Sequence, residues 1–390
     1  MNTKPSLWLM IVMLMLPQIV ETIYSPALGS IAQYFSVSYS QAAQTLSVYF
    51  LAFAMGVLVW GILADKLGRR PTMIIGLFIY SCAALIAMQT ENFTMLMIAR
   101  ALSAFGIAVG SVVTQTMLRD AFNGEELGKV FSLMGMGISI SPVLGMLLGG
   151  QLTAMGGHHS VFFALFIIAL LLFSYNVFKL PETQTQTQTQ TQTQTQTQTQ
   201  TKKQPLHLGS LSIRMFKDRQ IWLSGILVAL YNIALFSYYQ LGAFIFADLG
   251  LGSEQFGYSG IVLGFSTLLG SYVNKSLLAK KVSQRSLLWL AALLLATGAV
   301  GVFSMLTSIG FMIPMMLVVM SFGIAIPNVL SLALVDYKQQ MGSAGALLGL
   351  MYYLLIGGGL ALAGIVQHLG LVLVICSIAT ICATFLRSHQ

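Results

Sequence analysis

The sequence predicts an all-α protein that crosses a membrane many times. Of its 390 residues, 56% are hydrophobic and only 8% are charged, whereas about 25% of a soluble domain is charged. A water-soluble core could not bury so much apolar surface. The apolar residues also form runs of about 20, which is the length an α-helix needs to cross the hydrocarbon core of a bilayer. The chain is therefore predicted to be an all-α polytopic membrane protein.

Twelve such runs divide into two sets of six. The predicted spans, numbered 1 to 12 in chain order, cover residues 7–27, 42–63, 72–89, 94–117, 127–150, 161–180, 221–246, 257–278, 286–306, 310–334, 343–366 and 369–387. A turn with glycine and lysines after span 8 matches the charged turn after span 2, as an internal duplication would produce. Because parallel repeats of six spans are a known transporter plan, we expect two pseudo-symmetric six-helix bundles, 1–182 and 220–390.

The positions of the cations predict the orientation of the chain. If the amino terminus is cytoplasmic, every lysine and arginine except Arg100 lies at the inside end of a span or in an inside segment. Inside loops of membrane proteins collect these residues. Both termini are therefore predicted to be cytoplasmic. The net charge of +8 reflects this topology and indicates no nucleic-acid partner.

Residues 183–219 are predicted to be a cytoplasmic linker between the two bundles. The linker begins with an unbroken alternation of threonine and glutamine that ends at Thr201. Polar low-complexity tracts have no apolar face to bury and usually stay disordered. We expect a flexible tether, with a regulatory docking role as the alternative.

No motif in the chain indicates an enzyme, a cofactor or a metal site. A phosphate-binding loop and a nucleophile elbow are both absent from the sequence. The pair His158 and His159 follows two glycines in a predicted loop, but two adjacent histidines without further ligands are weak evidence for a metal. The three cysteines fall inside apolar runs and indicate neither a disulfide framework nor a metal site. An enzyme and an ATP-driven pump are therefore not indicated.

The turn between spans 2 and 3 carries the most informative motif. It reads Gly61-Ile-Leu-Ala-Asp65-Lys-Leu-Gly68-Arg69-Arg70 and resembles the loop signature of the major facilitator superfamily, in the same place between spans. With twelve spans, a division into six and six, and a long central segment, the resemblance covers the whole chain. It implies the fold of that superfamily and transport by alternating access.

Two further motifs resemble the drug:proton antiporter branch with twelve spans. One is the arginine motif from Arg100 to Gly106 and on to Gly110 in span 4. The other is the antiporter motif of span 5, which includes Gly137, Ser141, Pro142 and Gly145, with Ser141 where glycine usually stands. Small residues every four positions permit close approach of a neighbouring helix, and Pro142 can kink the span. Both features suit an interface across which two halves rock.

The first span resembles that of the Bcr/CflA multidrug efflux group. It has Glu21 a few places before Tyr24-Ser-Pro-Ala-Leu-Gly29, with Ser25 and Gly29 replacing the usual leucine and second proline. The resemblance implies that Glu21 is the proton-binding carboxylate. The residues indicate the same role independently. Glu21 is the only acidic residue inside any apolar run, and intramembrane charges usually mark function. Burial also favours the neutral form of a carboxylate.

Arg100 is the predicted partner of Glu21. Glu21 is about 14 residues from the inside start of its span, roughly 21 Å at 1.5 Å per residue, which leaves roughly 9 Å to the outer edge of the bilayer core. Arg100 is about 6 residues from the outside, again roughly 9 Å deep. We expect Arg100 to hold Glu21 ionised until a proton or a cationic substrate competes. A static pair that only fixes spans 1 and 4 is the alternative.

The predicted substrate surface is apolar and aromatic with a few polar groups, as ligand pockets usually are. Its predicted residues come from spans 1, 4 and 7: Gln18, Tyr24, Gln115, Tyr231, Asn232, Phe236, Tyr238, Tyr239 and Gln240. We expect only some of them to touch substrate, because helix packing uses the same residue types.

The turn after span 2 is expected to act as a conformational latch. In the superfamily this loop packs against the inside start of span 11, here near residues 341–345, and an acid is favourable at a helix N-terminus. Asp65, with Gly61, Gly68, Arg69 and Arg70, would then hold the two halves together on the inside. A plain topology-setting turn explains the arginines but not Asp65 together with both glycines.

The resemblance implies a drug:proton antiporter in the cell inner membrane that expels small amphiphiles. We expect its partners to be protons, a small-molecule substrate and the lipid bilayer, and we expect a monomer with no cofactor. Three alternatives stay open: export of an endogenous metabolite such as a siderophore or an amino-acid derivative, proton-coupled uptake, and a transport-dead membrane sensor or scaffold.

Overall fold

The computed structural model describes residues 4–183 and 208–388, and within these ranges the chain forms only helices and turns. The Thr-Gln tract beyond Thr183 lies outside the described residues, so its predicted disorder stays a prediction. The described part confirms the all-α class.

In that part, eleven helices are long and apolar enough to cross a membrane. Their bounds are Leu7–Tyr34, Tyr39–Leu67, Arg69–Gln89, Phe93–Ala121, Gly124–Lys179, Arg219–Asp248, Ser253–Ala279, Gln284–Met305, Met312–Ala333, Met341–Val366 and Leu369–Ser388. The fifth has 56 residues, roughly 84 Å of helix and far more than one bilayer crossing needs. It comprises spans 5 and 6, and the twelve predicted spans are thereby confirmed.

Two glycines divide spans 5 and 6. Gly156 and Gly157 have non-helical backbone, and Gly157 has a φ of +63° with a ψ of −155°. L-residues with a side chain rarely adopt that conformation, whereas glycine does so at little cost. The chain therefore reverses here, and His158, predicted to lie in a loop, lies instead at the start of span 6.

Span 1 is longer than predicted. The helix Leu7–Thr22 passes through a 3-10 turn, Ser25–Ala27, into a second helix, Leu28–Tyr34. Pro26 supplies the fixed φ at the start of that turn. The apolar run ends earlier because the second helix carries glycine, serine and glutamine, and a search for apolar length stops there.

We refer to spans 1–6 as the N-terminal half and to spans 7–12 as the C-terminal half. Within the first half, span 4 packs against spans 2 and 3, and span 1 packs against span 5. Within the second, span 9 packs against spans 10 and 12, and span 7 against spans 11 and 12. The halves meet through span 2 on span 11 and span 5 on span 8.

Contacts between the halves lie toward one end of the molecule. Following the predicted topology, we call this end the outer end. The opposite end, which includes the turn after span 2, is the inner end. At the outer end the rings of Tyr39 and Phe244 stack with centres 4.3 Å apart. Gln240 donates from Nε2 to the carbonyls of Ala43, at 2.9 Å, and Leu360, at 3.0 Å.

Close backbone packing completes the outer-end contact. Ser253 Oγ donates to the Gly150 carbonyl at 3.3 Å, and a Cβ at Gly150 would lie 2.9 Å from the Cα of Gly257. Only glycines allow spans 5 and 8 to approach this closely. The outer ends of the halves are thereby closed over the middle of the molecule.

The predicted linker contains a helix that the sequence reasoning missed. Residues Leu208–Lys217 form an amphipathic helix, and its Leu211 and Met215 pack with Tyr337, Ala344 and Leu348. This segment of the linker is therefore attached to the inner ends of spans 10 and 11.

Candidate substrate and proton site

A central cavity of about 100 Å³ lies between the two halves. Its wall is formed by spans 1, 2, 4, 5, 7 and 11: Leu14, Pro17, Gln18, Glu21, Tyr49, Phe50, Phe53, Ser111, Gln115, Ile138, Asn232, Phe236 and Tyr353. Aromatic rings, amides and one carboxylate therefore share a single space at the middle of the bundle.

Five of the predicted site residues meet in this cavity. Gln18 and Glu21 come from span 1, Gln115 from span 4, and Asn232 and Phe236 from span 7. Asn232 and Phe236 are four positions apart, so a helix places both on one face. Sequence reasoning found these residues because each is a polar or aromatic interruption of an apolar run.

Four aromatic residues of the wall were missed. They are Tyr49, Phe50 and Phe53 in span 2 and Tyr353 in span 11. The ring of Phe50 lies 4.7 Å from Phe236, and the ring of Phe53 lies 5.1 Å from Tyr353, so the rings bridge the two halves. The spacing of the span 2 aromatics was the available signal, but apolar residues in an apolar run do not stand out.

The other predicted substrate residues do not line the cavity. Tyr231 and Tyr238 are buried on other faces of span 7, whereas Tyr239 is buried on the same face as Phe236, with the two ring centres 5.5 Å apart. Tyr238 donates its hydroxyl to Ser259 Oγ at 2.5 Å, and Gln240 ties the halves together at the outer end. Helix periodicity separates Tyr231, Tyr238 and Gln240 from Asn232. Tyr239 shares the face of Asn232 but packs outside the cavity wall.

Tyr24 lies beneath Arg100. The guanidinium carbon of Arg100 is 3.8 Å from the centre of the Tyr24 ring and 4.8 Å from that of Tyr49. Arg100 is only 1% exposed, and a desolvated cation gains about 2 kcal/mol over an aromatic face. The two rings therefore stabilise the buried charge.

Glu21 and Arg100 are neighbours but not an ion pair here. None of the ion pairs within 4.0 Å in the described residues joins them, although Arg100 lies on the ring of Tyr49, which lines the central cavity together with Glu21. Glu21 is 6% exposed, and its Oε1 has no hydrogen-bond partner. The carboxylate faces the cavity while the cation rests on the rings.

The turn after span 2 forms an inner-end charge cluster. Arg69, 6% exposed, donates from Nη1 to Asp65 and to the Ala64 carbonyl, and from Nε to Asp120, at 2.9, 2.7 and 2.9 Å. The backbone N–H groups of Arg69 and Arg70 both donate to the Glu182 carboxylate at 3.0 Å. A carboxylate is favourable there because it accepts from the start of span 3 and complements the helix dipole.

Every contact of Arg69 and Arg70 given above lies within the N-terminal half. The cluster joins spans 2, 3, 4 and 6, and Glu182 and Asp120 are members that the sequence reasoning missed. Gly68 has a φ of +102°, which requires glycine. A Cβ at Gly61 would meet only Val112, at 3.7 Å, so that position does not demand glycine sterically.

Arg69→Lys tests the cluster. The variant is expected to lose about 1.5–3 kcal/mol of stability, because lysine cannot reproduce the fork that binds Asp65, Asp120 and the Ala64 carbonyl. A thermal unfolding curve of the purified protein measures the loss. The control Arg119→Lys changes an exposed arginine at the same end and should stay within about 0.5 kcal/mol. Equal melting temperatures for the two variants would contradict the assignment.

A profile of the Major Facilitator Superfamily matches residues 10–362. The chain belongs to the major facilitator superfamily. An uncharacterized transporter of Rickettsia felis is 31% identical over 365 residues, covering 90% of this chain and 86% of the relative. A bicyclomycin resistance protein homolog of Haemophilus influenzae is 25% identical, covering 90% and 87%. The protein is therefore a superfamily transporter and not an enzyme.

The solved structures agree on the fold of this superfamily member. A bacterial homolog of the human lysosomal transporter Spinster, in an inward-facing conformation, has a TM-score of 0.72 at 15% identity, with 97% of this chain and 94% of that chain covered. At this identity the likeness establishes the shared architecture.

The small-residue stripe of span 5 was expected to lie between the two halves of this superfamily transporter. It does not lie there. A Cβ at Gly145 would overlap Thr22, one at Gly149 would overlap the Ile23 carbonyl, and one at Gly137 would lie 3.1 Å from Ile11. The stripe therefore packs on span 1. Gly150, on an adjacent face, makes the contact with the other half.

The expectation was wrong because residues every four positions define one face of a helix but do not say which neighbour it meets. The closest contacts of the stripe are with Thr22 and Ile23, directly after Glu21, and with the Ile19 carbonyl, two residues before it. Span 5 therefore fixes the backbone on either side of that carboxylate.

Proposed function

We propose that this transporter exports small amphiphilic compounds in exchange for protons by alternating access. The observation that carries the proposal is Glu21, whose buried Oε1 has no hydrogen-bond partner and which lies in the wall of the central cavity. An unpaired ionised carboxylate at this depth costs several kcal/mol, so the site favours protonation unless a cation forms an ion pair with Glu21.

The position of Arg100 supports a neutral Glu21 in this conformation. With the guanidinium on Tyr24 and Tyr49, no ion pair holds Glu21 ionised. Release of the proton would draw Arg100, or a cationic substrate, toward the new negative charge. Protons and substrate would thus compete for one carboxylate, which couples their movements, and the membrane potential supplies about 2.3 kcal/mol per charge per 100 mV.

The aromatic wall supports an amphiphilic substrate. Phe50, Phe53, Phe236 and Tyr353 offer rings, and Gln115 and Asn232 offer amides. Drug-sized ligands occupy pockets of about 300–1,000 Å³, which is more than the cavity of about 100 Å³ found here. The halves must therefore separate further to admit such a molecule.

The closed outer end supports an inward-facing state as one step of the cycle. In the opposite state the inner ends would meet, and the Asp65 turn would latch against the start of span 11.

The proposed orientation puts both termini in the cytoplasm and the protein in the inner membrane. The relative described as a bicyclomycin resistance protein homolog supports a toxic compound as the exported substrate.

Substrate-induced pH change in sealed vesicles tests the function. Purified protein is reconstituted, a panel of drugs and metabolites is added, and proton movement is followed with a trapped pH dye. Counter-movement of protons with cationic amphiphiles supports the proposal. A response only to metabolites would identify an endogenous substrate, and co-directional movement would identify uptake. No response to any compound would favour the sensor alternative.

Phe53→Ala tests the aromatic wall. The variant is expected to bind the active compound roughly 10- to 150-fold more weakly, because removing a buried ring forfeits about 1.5–3 kcal/mol of apolar contact. Equilibrium binding to the purified protein gives the affinity. The control Phe265→Ala removes a ring that is 58% exposed on span 8 and should leave the affinity unchanged. Equal affinities for both variants would remove Phe53 from the site.

A further inference from the structure

A second, smaller cavity lies entirely within the N-terminal half. It has a volume of about 10 Å³ and is walled by spans 3, 4 and 6, with Tyr80, Ala84, Arg100, Ser103 and Phe162 among its lining residues. That volume is close to the space of one water molecule. The cavity lies toward the outer end and shares no lining residue with the central cavity.

Polar atoms of the cavity's lining residues lack protein partners. Arg100 Nε and Nη2 and the Tyr80 hydroxyl are buried without a hydrogen bond. Leaving a buried donor unsatisfied costs about 1–3 kcal/mol, and more for a charged group. Buried waters typically satisfy such groups. The chemistry of this small cavity is therefore that of a hydrated site.

Arg100 connects this cavity to the central one. Its guanidinium lies on the ring of Tyr49, and Tyr49 lines the central cavity beside Glu21. Tyr49 also donates its hydroxyl to the Pro17 carbonyl at 3.0 Å, one helical turn before Glu21. A cation therefore stands between the two spaces.

On the outer side His158 lies next to the wall of the small cavity. The ring of Phe162, in the cavity wall, lies 6.0 Å from that of His158 one turn earlier on span 6. His158 is 3% exposed, its Nδ1 is 3.0 Å from Ser30 Oγ, and its Nε2 has no partner. The titratable rings against it are Tyr34, at 4.6 Å, and His159, at 4.1 Å. His159 is exposed, so this cluster meets the outer surface.

We propose that His158, Tyr80 and the hydrated cavity form a proton route from the outer surface to Glu21, gated by Arg100. The route rests on the proposed proton coupling. It is separate from the cleft between the halves, which the outer-end contacts close. A proton would pass from His158 through water beside Tyr80 to the Glu21 carboxylate.

Arg100 makes the route conditional. A fixed arginine in a narrow passage repels protons, so the route is shut while the guanidinium rests on Tyr24 and Tyr49, as it does here. When Glu21 is ionised, its charge attracts Arg100 off the rings, and the passage opens to the carboxylate that needs a proton. Protonation of Glu21 releases Arg100 to the rings and shuts the route.

Two substitutions alter the proposed route and leave both Glu21 and Arg100 unchanged in the sequence. Ala84→Leu fills the cavity, and Tyr80→Phe removes one hydroxyl. Each is expected to slow substrate transport driven by a pH gradient by about tenfold, while substrate-for-substrate exchange at equal pH stays within about twofold of the natural protein. The matched controls are Cys82→Leu on the exposed face of span 3 and Ser81→Ala, whose hydroxyl bonds its own helix at the Leu77 carbonyl.

Hydroxyl-radical labelling by X-ray radiolysis tests the hydration without any transport. Radicals form from bound water, so Tyr80 and Phe162 should be oxidised faster than Tyr238 and Phe256, which are equally buried in the C-terminal half. Equal labelling overturns the route, and so does normal gradient-driven transport in both route variants. A natural protein that carries substrate but never responds to a pH gradient overturns the proposed coupling, while the labelling still decides whether the route is hydrated.

Discussion

Glu21→Gln is expected to abolish proton-coupled transport while the protein still folds and binds substrate. Glutamine has nearly the same shape but cannot take up or release a proton, and loss of a proton-transfer group typically costs about 10²–10⁴-fold in rate. Because Oε1 of Glu21 accepts no hydrogen bond, the amide breaks no existing contact. Gradient-driven transport in vesicles should fall at least about 100-fold, with substrate exchange retained.

The control for this variant is Glu91→Gln, the same chemical change at an exposed position between spans 3 and 4. It should transport normally. Glu21→Asp should retain part of the activity, since it keeps a carboxyl group in the cavity. If Glu21→Gln drives export at the natural rate and at a normal protein level, the coupling role of this residue is refuted.

Gly149→Ala is expected to destabilise the protein despite the higher helix propensity of alanine. The added methyl group would overlap the backbone carbonyl of Ile23 in span 1. Backbone cannot rotate away as a side chain can, and overpacking of this kind costs about 1–3 kcal/mol. Thermal unfolding and the yield of monodisperse protein measure the effect.

Gly135→Ala is the matched control on the same span. No atom lies within 4 Å of a Cβ at Gly135, so the variant should gain up to about 1 kcal/mol from helix propensity alone. The two substitutions are therefore expected to shift stability in opposite directions. Shifts of the same sign would mean that the packing of span 5 on span 1 does not decide the outcome.

The twelve spans could be predicted because a single physical quantity determines them. Each needs about 20 apolar residues, and this requirement can be read from local composition. Helices were missed where the composition of a segment does not reveal that its backbone is helical. The helix at Leu28–Tyr34 was missed because it carries polar residues, and the helix Leu208–Lys217 was missed because its 10 residues are too few for a membrane span.

The charged members of the site could also be recognised in advance. Glu21 and Arg100 stand out because a charge in an apolar run is costly and rare. Their neighbours could not be recognised in the same way. Phe53 and Tyr353 are far apart in the chain and are ordinary residues of their runs, and Glu182 is one of several charges near a predicted linker.

Hydrophobic length and the cost of a buried charge are local properties, so the class of the protein, its spans and the charged residues within the membrane could be recognised from the order of residues alone. Which helix faces meet depends on the packed fold. It placed Arg100 on Tyr24 and Tyr49 rather than on Glu21 and packed the small residues of span 5 on span 1. Helix periodicity defines a face, but the partner of that face depends on how all twelve spans pack together.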